Sequence, residues 1–266
     1  MQTSLKPITW NLLLPLSVVA AVIGVLNYYD RESLMIATNV MNLVIVMPFV
    51  ALSLMLVTRN GISGNLGKAW ICFTVFAVLW TAGEIIWAAD EIIFKNDPFP
   101  SLADFFWILG YPFYFVFAIT YLKLFRSSIS KKTILLATSV SMTLMGFLVY
   151  CAIAKSESPQ FETAILASYS VGDALCLIPT IIGFVLFFRG QVNFTWLLLL
   201  VGMFSFVIAD SAFQIISQTG EYYTGHPFDV AYLWAYVFFV FGIYHHNRIF
   251  RTRNAQNKFN DQEKLR

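Results

Sequence analysis

The sequence predicts an all-α integral membrane protein: eight transmembrane helices arranged as two parallel four-helix repeats, with both termini on the cytoplasmic side. Three observations lead there. The 266 residues are 58% hydrophobic and only 12% charged, against roughly 25% charged residues in soluble domains. The apolar residues fall in eight blocks, approximately 9–28, 34–57, 69–94, 104–125, 133–154, 163–188, 194–218 and 228–249, each near or above the ~20 residues that cross a bilayer as helix. Runs such as 11–26 lack the alternation that β-barrel strands of ~10 residues need, so helices are expected. The third observation is charge. Lys6, Arg59, Lys68, Lys123, Arg126, Lys131, Lys132, Arg189 and the six basic residues after His246 fall on one side, fourteen of the 17 Lys and Arg; only Arg31, Lys95 and Lys155 fall on the other. Basic loops stay in the cytoplasm, which orients the bundle.

The first block carries Pro15, ends at the interfacial pair Tyr28–Tyr29, and is longer than a signal-peptide core, so it reads as a retained span. The short acidic-side loop DRES leads to a second span with Asn39, Asn42 and Pro48. A Gly/Asn-rich basic loop, TRNGISGNLGK, precedes the third span, which carries Glu84. The acidic loop 90–100 follows, and Ser101-Leu-Ala-Asp104 opens the fourth span with a helix-capping pattern. RSSISKK separates residues 1–127 from 128–250. Spans five and six are joined by KSESPQFE, span six holds Asp173, span seven Asp210, and span eight ends in Tyr-His-His-Asn. The polar, mostly basic tail 251–266 is expected near the anionic inner leaflet. Cys72, Cys151 and Cys176 lie inside spans without metal-like or disulfide-like spacing.

The two halves echo each other. DFFWILGY from Asp104 aligns with DVAYLWAY from Asp229, Glu84 with Asp210, and Pro48–Arg59 with Pro179–Arg189, at offsets of about 124–131 residues. A four-span unit repeated in this way gives parallel halves, related by an axis along the membrane normal.

PSLADFFWILGYP, with an acid in the preceding helix, and its echoes in SVGD, an Ala-Asp helix and a closing Asp–Tyr helix, carry a resemblance. Over roughly residues 40–245 the chain resembles the membrane-embedded input regions that precede histidine kinase, PAS or diguanylate cyclase output domains in bacteria and archaea. The resemblance implies a sensory role. Only 16 residues follow the last span here, so a stand-alone module read by a separate signalling partner is expected. SYSVGD and FSFVIADSAF are also similar to the Ser-x-Gly-Asp and Phe-x-x-x-Asp motifs of lysoplasmalogenase-like membrane proteins. Their acids stand only 37 positions apart here, closer than that family's pattern, and this similarity ranks second.

Glu84, Asp173 and Asp210 are intramembrane acids, which by their desolvation cost point to a functional site. Counting a rise of ~1.5 Å per residue from the helix ends puts all three roughly 12–15 Å below the outer surface. The repeat sets Asn42 opposite Asp173 and brings Tyr111 and Tyr236 to similar depth, so a ring of Asn42, Glu84, Tyr111, Asp173, Asp210 and Tyr236 is expected. Spacing also puts Glu84, Trp87 and Glu91 on one face, and Asp210, Gln214 and Ser217 on another. No Lys or Arg lies mid-span to neutralise the acids. They are protonated and hydrogen-bonded, hold a cation or cationic ligand, or line a wet cavity; as plain helix clamps each bond is worth ~0.6 kcal/mol. Asp104 and Asp229 read as helix caps, and Asp90, Glu91 and Asp97 with His226 as a solvated acidic rim.

Several chemistries are excluded. No mid-span Lys exists for a retinal Schiff base, the three His lie at span ends, and HExxH, P-loop and GxSxG patterns are missing. The expected function is a sensory or ligand-binding membrane module. A small molecule or lipid reaches the polar ring, Glu84, Asp173 and Asp210 bind it, and Asn42, Tyr111 and Tyr236 orient it. No cofactor, metal or nucleic acid is expected; the partners are membrane lipids and a cytoplasmic signalling protein, and the location is a prokaryotic cytoplasmic membrane. A lipid hydrolase whose paired acids activate water is second, and a small-solute or ion transporter third.

Overall fold

The computed structural model describes residues 6–60, 64–154, 160–190 and 193–264. Residues 1–5, the centre of the basic turn (61–63) and the start of the KSESPQFE connection (155–159, with Lys155) lie outside the described residues. Among the described residues the chain forms eight long α-helices and no strand: α1 (Lys6–Leu26), α2 (Arg31–Asn60), α3 (Gly64–Ala89), α4 (Leu102–Leu122), α5 (Lys131–Ala154), α6 (Gln160–Phe188), α7 (Phe194–Ser217) and α8 (Asp229–Lys264). Six of them, α2 to α7, are long and apolar enough to cross a membrane. The chain is therefore a multi-pass helical membrane protein.

Several expected boundaries move. The basic loop after the second span shrinks, because α2 runs to Asn60 and α3 begins at Gly64. α8 continues to Lys264, so the tail is an extension of the last helix. Asp90–Phe94, shared in the sequence between the 69–94 block and the acidic loop, belongs to the helix: it extends α3 as a π-helical turn, stopped by Lys95 in the left-handed conformation (φ 55°). α2 and α6 pass unbroken through Pro48 and Pro179. In a bundle, neighbouring groups can satisfy the carbonyl that a proline leaves free.

Local chemistry explains the ends that frame the site. Ser101 is the N-cap of α4: its hydroxyl accepts from the Ala103 N–H and its own N–H donates to Asp104, the capping box expected from the sequence. At the start of α2, the Ser33 N–H donates to Asp30 Oδ2 at 2.8 Å. That bond holds the exposed Asp30 carboxyl below the usual aspartate range. The folded value lies below the unfolded one, so the cap's contribution is present at neutral pH and is lost as pH falls through the folded value. An NMR titration of Asp30 is expected to give a midpoint below that of an exposed aspartate, moving back up in Ser33→Pro.

The helices pack antiparallel in pairs, most extensively α3 with α4 and α7 with α8. α2 packs on α3 and α8, and α6 on α7 and α4, which closes the six inner helices into a ring; α1 lies outside on α8 and α2, and α5 outside on α6 and α7. α5 buries only a thin stripe, Thr133, Ala137, Ser141, Leu148 and Ala152. Small residues suit close helix approach where lipid supplies no hydrophobic driving force. One end of the bundle collects the acidic loops 27–30, 90–101 and 218–228; the other collects the basic ones. Phe49, Phe73, Phe76, Phe117, Phe206 and Phe239 are all buried in the main core. Rings such as Phe49 and Phe73 meet edge to face at 5.8 Å and 89°, a geometry that adds about 0.5–1.5 kcal/mol per pair.

Candidate functional site

The six expected ring residues stand on six different helices, the inner ring of the bundle. Tyr236 on α8 donates to Glu84 Oε1 on α3 at 2.7 Å. Tyr111 on α4 donates to Asp210 Oδ2 on α7 at 2.6 Å and lies 3.0 Å from Asp173 Oδ1 on α6. The tyrosine of each half thus serves an acid of the other half. A hydroxyl has one hydrogen, so the second Tyr111 contact is a hydrogen bond only when the carboxyl side supplies the proton. Asp210 is further held by Tyr232 at 2.7 Å.

These residues surround an internal cavity of about 70 Å³, room for several water molecules. Asn42, Glu84, Tyr111, Asp210 and Tyr236 line it. Asp173 does not: it sits behind Tyr111, fully buried, its Oδ2 without a partner.

The remaining wall follows a simple rule. Thr38, Trp80, Trp107, Tyr169, Phe206 and Tyr232 all line the cavity, and each stands four positions before a ring residue. Residues at i and i+4 share a helix face. α3 and α7 run toward the acidic end, so their members of this set, Trp80 and Phe206, form the floor, with rings in edge contact at 4.3 Å and 80°. The other four stand toward the acidic end. Glycines allow the indoles to lie this close: a Cβ on Gly83 would sit 2.5 Å from Trp107 Nε1, and one on Gly110 would run into the Trp80 ring. Trp80 Nε1 donates to the Trp107 carbonyl at 2.9 Å.

Asp104 and Asp229 do more than begin helices. Asp104 accepts from Tyr169 at 2.7 Å, Asp229 accepts from the Gly225 N–H at 2.8 Å and sits 3.2 Å from the Tyr222 hydroxyl, and both acids line the cavity. Burial, and then the nearby Asp229 and Glu91 carboxyls, push the Tyr222 hydroxyl well above the usual tyrosine range, so it stays a donor.

Two expected groupings change. Asp210, Gln214 and Ser217 do not share the site: Gln214 donates to the Leu148 carbonyl on α5 at 3.0 Å and accepts from Ser170 on α6 at 2.7 Å. Each i+4 step rotates about 40° around a helix, enough to turn Gln214 from the cavity toward α5 and α6. Glu91 is a half-buried rim residue that is tied down by hydrogen bonds instead of being freely solvated. Asn39 donates to it at 2.6 Å and Thr224 at 2.5 Å, and Trp87 Nε1 lies 3.3 Å from the Thr224 hydroxyl. His226 stacks on Phe228 instead of joining the acids. Among the described residues no group of three or more His, Cys, Asp or Glu side chains is placed to hold a metal ion.

Toward the acidic end lies an open vestibule of about 410 Å³, lined by Arg31, Glu91, Lys95, Asp97 and Tyr223 among others. Trp87, Tyr222 and Thr224 line both vestibule and cavity and form the partition between them. Arg31 is drawn aside, its guanidinium 3.2 Å from the Tyr223 ring centre.

Among the described residues no Lys, Arg, His, Cys or Ser lines the cavity. It therefore offers carboxyl oxygens, hydroxyls and aromatic walls, but no nucleophile–base pair of the serine or cysteine kind. Trp87, which spacing sets on the face of Glu84, lines the cavity too; sequence reasoning missed the six i−4 residues, whose signal was helical spacing, and Phe213, Tyr222 and Thr224. Tyr222 and Thr224 come from the α7–α8 loop, which no periodicity places. Compared with models of known families, with curated proteins and with solved structures, the chain matches none of them.

Proposed function

We propose that the protein is a ligand-binding membrane module of sensory type, in which a small molecule enters from the outer face and occupies the cavity. All eight helices span the bilayer as two parallel four-helix units, with both termini and the basic loops in the cytoplasm of a prokaryotic cell. The α2–α8 and α6–α4 contacts and the exchanged Tyr236–Glu84 and Tyr111–Asp210 bonds support the two-unit reading. In it, a cytoplasmic signalling partner reads rearranged helices at the basic face.

The observation that carries the reading is the cavity itself. It is lined by Glu84, Asp104, Asp210 and Asp229 and separated from an open vestibule by three side chains. Helix clamps need no such space. Paired-acid hydrolysis fits less well, because Asp173 is screened from the cavity by Tyr111 and shares its hydroxyl with Asp210. The unbroken α2 and α6 likewise lack the interrupted backbone common in transporter sites.

Native mass spectrometry of gently solubilised protein tests this. Wild type is expected to carry a discrete small-molecule adduct that Glu84→Gln/Asp210→Asn loses while keeping its unfolding temperature. No adduct in either protein, with equal stability, would leave the acids as structural clamps.

A further inference from the structure

We propose that the cavity takes a small organic ammonium ion bearing N–H donors, a protonated amine, held between the carboxylates and the buried α2 acceptors by aromatic walls. The inference rests on the ligand-binding reading above and names its ligand class.

Three independent features point to that chemistry. The first is charge. Four acids line the cavity and, among the described residues, no cationic side chain does; the two cations that line the vestibule are engaged there, Arg31 on the Tyr223 ring and Lys95 near Glu32 at 3.6 Å. An anionic ligand would meet only like charge. The second is the wall. Trp80, Trp87 and Trp107 line one small space with five tyrosines, and indole and phenol rings are the side chains that attract organic cations.

The third is a hydrogen-bond deficit. Thr38 is 1% exposed and lines the cavity, yet its hydroxyl has no partner. One turn along α2, the buried Asn42 Oδ1 also lines the cavity and has no partner. Buried polar atoms are normally satisfied, and Asn42 Oδ1 can only accept. The missing partner is therefore a donor. A protonated amine supplies N–H donors and positive charge together; a quaternary ammonium supplies charge alone, an alcohol a donor alone. A metal ion is disfavoured, since no three ligating side chains converge among the described residues.

The repeat shows why the deficit lies on α2. Thr38 and Asn42 occupy the positions that Tyr169 and Asp173 occupy on α6. On α6 the larger tyrosine reaches Asp104 at 2.7 Å and Asp173 meets Tyr111. On α2 the shorter Thr38 lines the same cavity as Asp229 but leaves its hydroxyl unpaired.

The experiment uses the full chain in nanodiscs at pH 7, read by tryptophan fluorescence, with three of its seven tryptophans on the cavity wall. The probes are propylammonium, 1-propanol, tetramethylammonium and acetate. Propylammonium is expected to bind saturably, at least about tenfold tighter than any of the other three. Glu84→Gln is expected to weaken it about tenfold, while Glu162→Gln, which removes a charge away from the cavity, leaves it unchanged. Thr38→Val is the sharper variant. It removes an orphaned hydroxyl, so it is expected to weaken propylammonium binding while leaving thermal stability equal or higher. Equal binding of 1-propanol, no saturable response to propylammonium, or wild-type affinity in Thr38→Val would each overturn the proposal, the second leaving a water-filled cavity and the third a site that does not use the α2 acceptors. If native mass spectrometry still shows a Glu84-dependent adduct, only the ammonium assignment falls; if it shows none, the ligand-binding reading falls with it.

Discussion

Gly172→Leu is expected to destabilise the protein by about 3 kcal/mol, read as a lowered midpoint in denaturant or thermal unfolding of the solubilised chain. Gly172 is buried on α6, one residue before Asp173, and a Cβ there would lie 2.5 Å from the Tyr111 ring. Tyr111 cannot swing aside without surrendering its bonds to Asp210 and Asp173, and its ring already meets Trp80 and Tyr169. The added side chain must therefore separate α4 from α6 or break the carboxyl bridge. Gly146→Leu is the control. On α5 nothing lies within 4 Å of its Cβ position, so the same substitution is expected to change stability by less than about 1 kcal/mol. Equal losses at both positions would remove the steric account.

Tyr111→Phe is expected to cost about 2 kcal/mol while leaving the ring packing intact. The hydroxyl is the shared partner of two buried carboxyls on neighbouring helices. Without it, the two acids keep only a carboxyl proton to share between them, whereas Asp210 keeps Tyr232. The double variant Tyr111→Phe/Asp173→Asn is expected to recover at least half the loss, because the asparagine amide can donate to Asp210. Tyr236→Phe, which removes one bond to Glu84 at the cavity edge, is expected to cost less, about 0.6 kcal/mol. A double-mutant cycle on the two tyrosines checks the order: Tyr111 coupled to Asp173, Tyr236 to Glu84 alone.

Much of this was legible before folding was considered. Asn42, Glu84, Tyr111, Asp210 and Tyr236 were read from their depth and from the correspondence of the halves, and all five line one cavity. The wall residues Thr38, Trp80, Trp107, Tyr169, Phe206 and Tyr232 were legible in principle, since each precedes a ring residue by one helical turn. Three things were not. Asp173 has the same depth and spacing as the others but is screened by a ring from α4. Gln214 has the same spacing from Asp210 that Trp80 has from Glu84, yet it serves α5 and α6. Glu91 looked like a solvated acid, but the π-helical turn that carries it brings it within reach of Asn39 and Thr224.

What the sequence determined by itself is local along the chain: where apolar helices run, where Ser101 and Asp104 cap one of them, and which end of the bundle is acidic. Those properties depend on hydrophobic length, capping chemistry and charge within a few residues. What only the tertiary structure decided is which way each helix faces and which side chains meet across the bundle. These helices are apolar nearly all round, so the hydrophobic period that fixes the rotation of an amphipathic helix carries little information here. Rotation is settled instead by contacts between distant residues, such as Trp107 against Gly83, Tyr111 against Gly172, and the Tyr236–Glu84 and Tyr111–Asp210 bonds.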